Sequence, residues 1–94
     1  MNTTYTVATF PLGRIVITRG ALNELDREIV QHSLYRHMAG DWGDLDEHDW
    51  KMNNAALKEG GRLFSRYRFG EEKHFFIITE SDRSATTILL PDEY

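Results

Sequence analysis

Between His37 and Leu57 the chain places two histidines, two tryptophans, five acidic residues and two adjacent asparagines in 21 positions. A plain helix–loop–helix connection needs none of that chemistry. Acid–base work, metal binding and partner recognition each have candidate residues in the stretch.

Acid–base work needs a histidine and a carboxylate that meet. At about 100° per residue around a helix, Ile29, Ser33 and His37 share an arc with Val30 and Leu34. On the next helix Leu45, Met52 and Ala56 form one apolar row, and Trp50 and Leu57 form another. Asp49 and Asn53 fall between the rows, one turn apart. If the two helices are antiparallel neighbours, His37, Asp49 and Asn53 converge. A buried carboxylate must be paired, because leaving it bare costs several kcal/mol, and His37 is the expected partner of Asp49. The cluster then has two readings: a His–Asp acid–base pair, or a polar clamp fixing the register of two helices. No positioned nucleophile, oxyanion donor or glycine-rich phosphate loop accompanies it, so the clamp is expected and no catalytic residue is assigned.

The acids Asp41, Asp44, Asp46, Glu47 and Asp49 resemble a cation cluster, but the spacing fails the alternation of a calcium loop, with Gly43 misplaced. His32 and His37, or His48 and His74, give no zinc spacing, and there is no cysteine. No metal and no cofactor are expected. Trp42 sits between Asp41 and Gly43 in the interhelical loop. It reads either as an anchor for a protein partner, with Asp41 and Asp44 beside it, or as a lid folded onto the core. A further candidate lies downstream. One parity of 62–69 reads Arg62, Phe64, Arg66, Arg68, and the other Leu63, Ser65, Tyr67, Phe69. Three arginines on one strand face could bind phosphate or an acidic partner; the alternative is a solvent face balanced by nearby acids. Arg83 reads as a turn residue.

These residues must be positioned by a small domain. The chain has 94 residues, 40% of them apolar and 12% aromatic, which is enough for one folded domain. A chain this short buries only about 60–65% of its unfolded surface. The absence of cysteine excludes disulfides and points to the cytoplasm. The N-terminus has no basic region ahead of an apolar run, so no signal peptide is expected, and no segment has the length of a membrane helix. The net charge of −4 argues against a general nucleic-acid binder.

Arg14 to Arg19, bracketed by Gly13 and Gly20, reads as a strand, and Ala21 to Leu25 as a helical turn. Asp26 is an N-cap for a helix to Met38 or Ala39, with Gly40 as its left-handed stop. Asp44, with Glu47 three residues on, forms a capping box for a helix from Leu45 to Glu59, which Gly60-Gly61 ends. Leu63 to Phe69, His74 to Thr79 and Ala85 to Leu90 are strands separated by short turns. Phe75 to Ile78 is apolar on both parities, so that strand is central. The expected fold is α+β in the order β-α-α-β-β-β: two helices packed on a mainly antiparallel four-stranded sheet with a C-terminal three-strand meander. The last strand, Thr86 to Leu90, is expected at a sheet edge, where a second copy could pair. Monomer and homodimer both stay open.

Taken together, Arg36-His37, Gly40-Asp-Trp-Gly43, Asp49, Asn53-Asn54, Ala56-Leu57, Gly61-Arg62, Ile77-Ile-Thr-Glu80, Asp82-Arg-Ser84, Thr86-Thr87 and Leu89-Leu-Pro91 resemble the small "plasmid-related protein" family of bacterial plasmids, prophages and integrated elements. The resemblance runs from about Gly13 to Tyr94. It implies a mobile-element accessory role in a bacterial cytoplasm and no particular activity. The order of elements is also similar to that of messenger-RNA-cleaving toxins of the RelE type, which carry basic residues on the sheet, as Arg62, Arg66 and Arg68 would here. The acidic net charge departs from that pattern. Two functions follow as expectations. One is a non-enzymatic protein-binding accessory that blunts a host defence or regulates element maintenance. The other is an RNA-binding or RNA-cleaving protein using the arginine strip.

Overall fold

The computed structural model describes residues 9–94; the N-terminal positions read above for a leader lie outside that range. The elements are β1 (Arg14–Ile17), α1 (Arg19–Glu24), α2 (Arg27–Met38), α3 (Glu47–Glu59), β2 (Leu63–Phe69), β3 (Lys73–Thr79) and β4 (Ala85–Leu89), followed by a 3-10 turn at Pro91–Glu93. The four strands form one sheet in the order β1-β4-β3-β2. β2, β3 and β4 make the expected antiparallel meander, with β3 inside. The fold is α+β. Among the described residues no helix is long and apolar enough to cross a membrane.

One strand position differs from expectation. β4 is not an edge, because β1 lies parallel beside it, in register from Arg14–Ala85 to Ile17–Ile88. That placement extends the inward apolar row of Ile77 and Ile88 to Ile17. β1 is also shorter than Arg14 to Arg19, because Thr18 turns away to cap α1: its hydroxyl accepts the Ala21 N–H at 3.3 Å. Gly20 lies inside α1 rather than at a strand boundary. Its N–H donates to the Glu93 carboxylate at 3.0 Å, and a Cβ there would stand 2.6 Å from that carboxylate.

The helices cover one face of the sheet. Ala21 and Leu25 pack on Tyr67, Phe75, Ile77 and Ile88, with Ile29, Val30 and Leu34 of α2 against them. A second cluster joins Phe10, Trp42 and Leu63, flanked by Trp50 and Leu57 of α3. α2 stops where its sequence says: Gly40 takes the left-handed conformation, with φ +82°.

α3 begins two residues later than the Asp44 capping box predicts. Its cap is Asp46, whose carboxylate accepts the Asp49 N–H at 2.8 Å. Asp44 is engaged elsewhere: its N–H donates to the Arg66 carbonyl, while the Arg66 N–H donates to the Trp42 carbonyl. Two residues upstream on β2, Asn53 completes the cover, donating to the Phe64 carbonyl and accepting the Phe64 N–H at 3.0 Å. The outer edge of β2 is thereby blocked along most of its length by a side-chain amide and a loop backbone, one of the ways proteins protect exposed edges.

Candidate functional site

His37 does not meet Asp49. It is fully buried, and its ring bonds to the sheet: Nδ1 lies 2.6 Å from Ser65 Oγ and Nε2 lies 2.8 Å from Thr79 Oγ1. The chain continues from Thr79 to Thr86 at 2.7 Å and from the Thr86 hydroxyl to the Leu12 carbonyl at 2.7 Å. A carbonyl can only accept, so Thr86 donates to Leu12 and its oxygen accepts the hydrogen bond that Thr79 donates. Thr79 then accepts from Nε2–H, which leaves Nδ1 to accept from Ser65. The ring is therefore the neutral Nε2–H tautomer, held at both nitrogens. Phe10 and Trp42 stand edge-on to it, at centroid distances of 5.3 and 5.5 Å. Burial drives its pKa down to about 3, and the nearby Arg83 adds to the effect.

The predicted polar cluster thus separates into three places. His37 joins a hydroxyl chain in the core. Asn53 is buried but serves the β2 edge. Asp49 is exposed in the first turn of α3. The reason is the position of α3, which lies along the β2 edge through Asn53 instead of laying its polar row against α2. The clamp reading survives for His37 with different partners, and it joins helix to sheet rather than helix to helix. Ser65, Thr79 and Thr86 were missed, although they sit on the inward parity of strands whose other inward residues are Leu63, Tyr67, Ile77 and Ile88. Hydroxyls in an apolar row were the available signal.

Trp42 is the lid and not the anchor. It is 0% exposed, stacks on Phe10 at 6.1 Å and donates its indole N–H to Asn54 at 2.9 Å. A side chain with no accessible surface cannot seat a partner. Asp41 holds the loop: its carboxylate takes two bonds from Arg36, at 2.8 and 3.2 Å, and the Gly43 N–H, while its carbonyl accepts the Tyr67 hydroxyl at 2.7 Å. Arg36 keeps the Asp41 carboxyl below its ordinary range. Burial pushes the Tyr67 phenol up.

Asp44 faces the other side of the sheet. It accepts from His74 Nε2 at 2.9 Å and sits 3.5 Å from Arg68, and the His74 bond holds its carboxyl low. Among the described residues no three histidine or carboxylate groups converge as a metal would require. The acids disperse to Arg36, to His74 and Arg68, and to the α3 cap.

On that outer face the arginine strip lies as the strand parity requires. Arg62 pairs with Glu80 at 3.7 Å and sits over the Tyr94 ring at 5.7 Å. Arg68 pairs with Asp44. Arg66 is exposed, and among the described residues it has no carboxylate within ion-pair distance. Phe64 packs on Phe76 at 4.7 Å, and Tyr94 stands edge-on to both. A groove of about 400 Å³ opens beside the two phenylalanines, lined by Leu45, Asp49, Phe64, Arg66, His74 and Phe76. His74, Phe76 and Tyr94 were not read as site residues; the β2–β3 register, which places Phe76 beside Arg66 and His74 beside Arg68, brings the first two there.

Arg83 is more than a turn residue. At φ +61° it sends its guanidinium to the carbonyls of Ala56 at 3.2 Å, Glu80 at 3.1 Å and Gly61, and it lies 5.8 Å from the Phe10 ring. The fork ties the C-terminal end of α3, where the helix dipole is negative, to the β3–β4 turn. Arg83→Ala is expected to lower unfolding free energy by about 2–3 kcal/mol, with Arg83→Lys recovering only part; urea unfolding of the three proteins checks it. A loss below about 0.5 kcal/mol would remove the clamp.

Comparison of the chain with protein-family models, with curated proteins and with solved structures gives no match in any of the three.

Proposed function

We propose that this chain is a non-enzymatic binding module that grips a protein partner on the outer face of its sheet, as an accessory of a bacterial mobile element. The observation that carries the reading is the Phe64–Phe76 groove with Arg66, which has no carboxylate partner among the described residues, at its lip. Aromatic residues and arginine dominate the energetic centres of protein interfaces. The charges around the groove alternate: Arg66, Arg68 and His74 stand among Asp44, Asp49 and Glu72. A mixed field suits a partner presenting side chains of both signs better than a uniform line of phosphates. The chemistry that fits is an apolar side chain in the cleft and a carboxylate on Arg66. Asp44 keeps its place on the contact surface as the ion partner of His74 and Arg68. Asp41 and Trp42 act behind it by shaping the loop. The mobile-element role rests on the residue resemblance described above.

The test is capture from a bacterial lysate by the tagged full chain, compared with Arg66→Glu. Reversing an exposed charge leaves circular dichroism unchanged and is expected to weaken capture of the partner by about tenfold or more, the scale of one interfacial ion contact. Capture that is indifferent to Arg66→Glu would move the interface off this face.

A second reading has its own observation. Phe64 and Phe76 beside Arg66 and Arg68 also form the arrangement on which single-stranded RNA stacks its bases while arginine takes its phosphates. Material released steeply by salt and destroyed by nuclease would favour it, since phosphate contacts lose about one unit of log–log slope each.

A further inference from the structure

We propose that two copies of this chain pair through β1 to form a continuous eight-stranded sheet about a two-fold axis beside Val16. The argument begins with backbone parity. The N–H groups of Arg14 and Thr18 donate to the Ser84 and Ile88 carbonyls, at 3.0 Å each. In a parallel ladder the residues bonded inward therefore alternate as Arg14, Val16 and Thr18. The N–H and C=O groups of Ile15 and Ile17 point away from β4, where no described residue bonds them. Two outward-bonding residues separated by one position are self-complementary in an antiparallel pair. Ile15 exchanges both its bonds with Ile17 of the second copy, Ile17 does the same with Ile15, and Val16 faces Val16 across the axis. Arg14 then lies opposite Thr18 and Arg19 opposite Gly13, so no like charges are opposed.

The fold closes the alternatives. The other edge, β2, is covered by Asn53 and by the Trp42–Asp44 backbone. With one free edge per copy among the described residues, edge pairing is isologous and stops at two instead of growing into a fibre.

The flank of β1 also exposes apolar side chains that such a dimer would bury. A standard interface buries about 800 Å² per partner, roughly an eighth of this chain's 6418 Å². Four paired residues fall short of that, so α1 and α2 must contribute. Apolar side chains are exposed on all three elements: Ile15 of β1 is 51% exposed, Tyr35 of α2 52% and Leu22 of α1 63%. Two shallow grooves border the strand, one reaching from Ile15 to Tyr35 and Met38, the other from Ile17 to Leu22 and Arg27, and they share Gln31. α2 thus runs antiparallel to β1. Across the axis Gln31 meets Gln31, and Arg27 approaches Tyr35 of the second copy, a cation beside an aromatic ring.

The test uses the native absence of cysteine. Val16 and Val16 form a non-hydrogen-bonded pair with Cα atoms about 4.5 Å apart, inside the reach of a disulfide. Full-length Val16→Cys under a mild oxidant is expected to form a covalent dimer at least about tenfold faster than Arg14→Cys, whose thiols lie far from each other across the axis. Sedimentation of the wild type is expected to give twice the monomer mass. Ile15→Pro, which removes an outward N–H and no inward one, gives the monomer, and Ile15→Lys provides the same readout through an edge charge. A monomeric wild type at its highest soluble concentration, equal cross-linking by the two cysteine variants, or a dimer untouched by both Ile15 substitutions would each overturn the proposal.

Discussion

Below pH 6.5 the domain is expected to lose about 1.4 kcal/mol of stability for each pH unit, down to about pH 3, through His37 alone. The sign follows from where the proton binds. In the unfolded chain the imidazole has its ordinary pKa of 6.5; in the fold, burial brings it down to about 3. Between those values the unfolded state holds one proton more than the native state, so stability rises with pH and falls on acidification. Over the whole window the loss is about 5 kcal/mol, of the order of the total stability of a small domain. Protonation would also break the hydroxyl chain, because Nδ1 would then need an acceptor where Ser65 donates. The carboxyls held low by Arg36 and His74, those of Asp41 and Asp44, add their losses only at the acid end. The difference between the wild type and His37→Gln from pH 6.5 to 5 therefore isolates this histidine. Urea unfolding at those two values should differ by about 2 kcal/mol in the wild type and by little in His37→Gln, which keeps polarity without titrating. Equal slopes for the two proteins would mean that the buried ring is not the acid-sensitive element.

Trp42→Ala should be nearly as damaging at neutral pH. The side chain is wholly enclosed by Phe10, His37 and Leu63, and truncating a buried tryptophan costs about 3–5 kcal/mol in transfer and cavity terms. Trp42→Phe retains most of the volume and loses the bond to Asn54, for about 1 kcal/mol beyond the volume term. Thermal unfolding followed by circular dichroism ranks the three. A melting temperature for Trp42→Ala within two degrees or so of the wild type would place the ring outside the core. The same enclosure changes how a binding experiment is read: a partner lost by Trp42→Ala reports lost folding, whereas Arg66→Glu reports the surface.

What could be read in the sequence was what is local. The limits of α2, the left-handed Gly40 and the three meander strands follow from caps, glycines and alternation over a few residues, and the structure has them within a residue or two. The cap of α3 was read at Asp44, with Glu47 three positions on, and the structure moves it to Asp46. The cause is a distant event, the pairing of Asp44 with Arg66 on β2. The same kind of event hid the site. His37 and its partners Ser65 and Thr79 are separated by 28 and 42 positions, and helical periodicity can place a residue inward without saying which surface it will meet. Asp49 was drawn inward by the same arc; the swing of α3 to the β2 edge turned it to solvent. The arginine strip was legible because strand parity needs no tertiary knowledge, while Phe76 and His74 joined it only through register.

The parallel seating of β1 on β4 has a consequence for biosynthesis. Thr86 and the Leu12 carbonyl it bonds are 74 positions apart, and every residue of β1 is in register with a residue of β4. While the chain is being translated, the nascent β1 carries exposed isoleucines and an unpaired backbone on both sides. The helices and the β2–β3 hairpin can form as they emerge from the ribosome; the sheet cannot close until Leu89 has left the exit tunnel. Loop closure over that distance makes this the slow step. It also makes the half-made protein, with β1 not yet joined to β4, the form most in need of a chaperone.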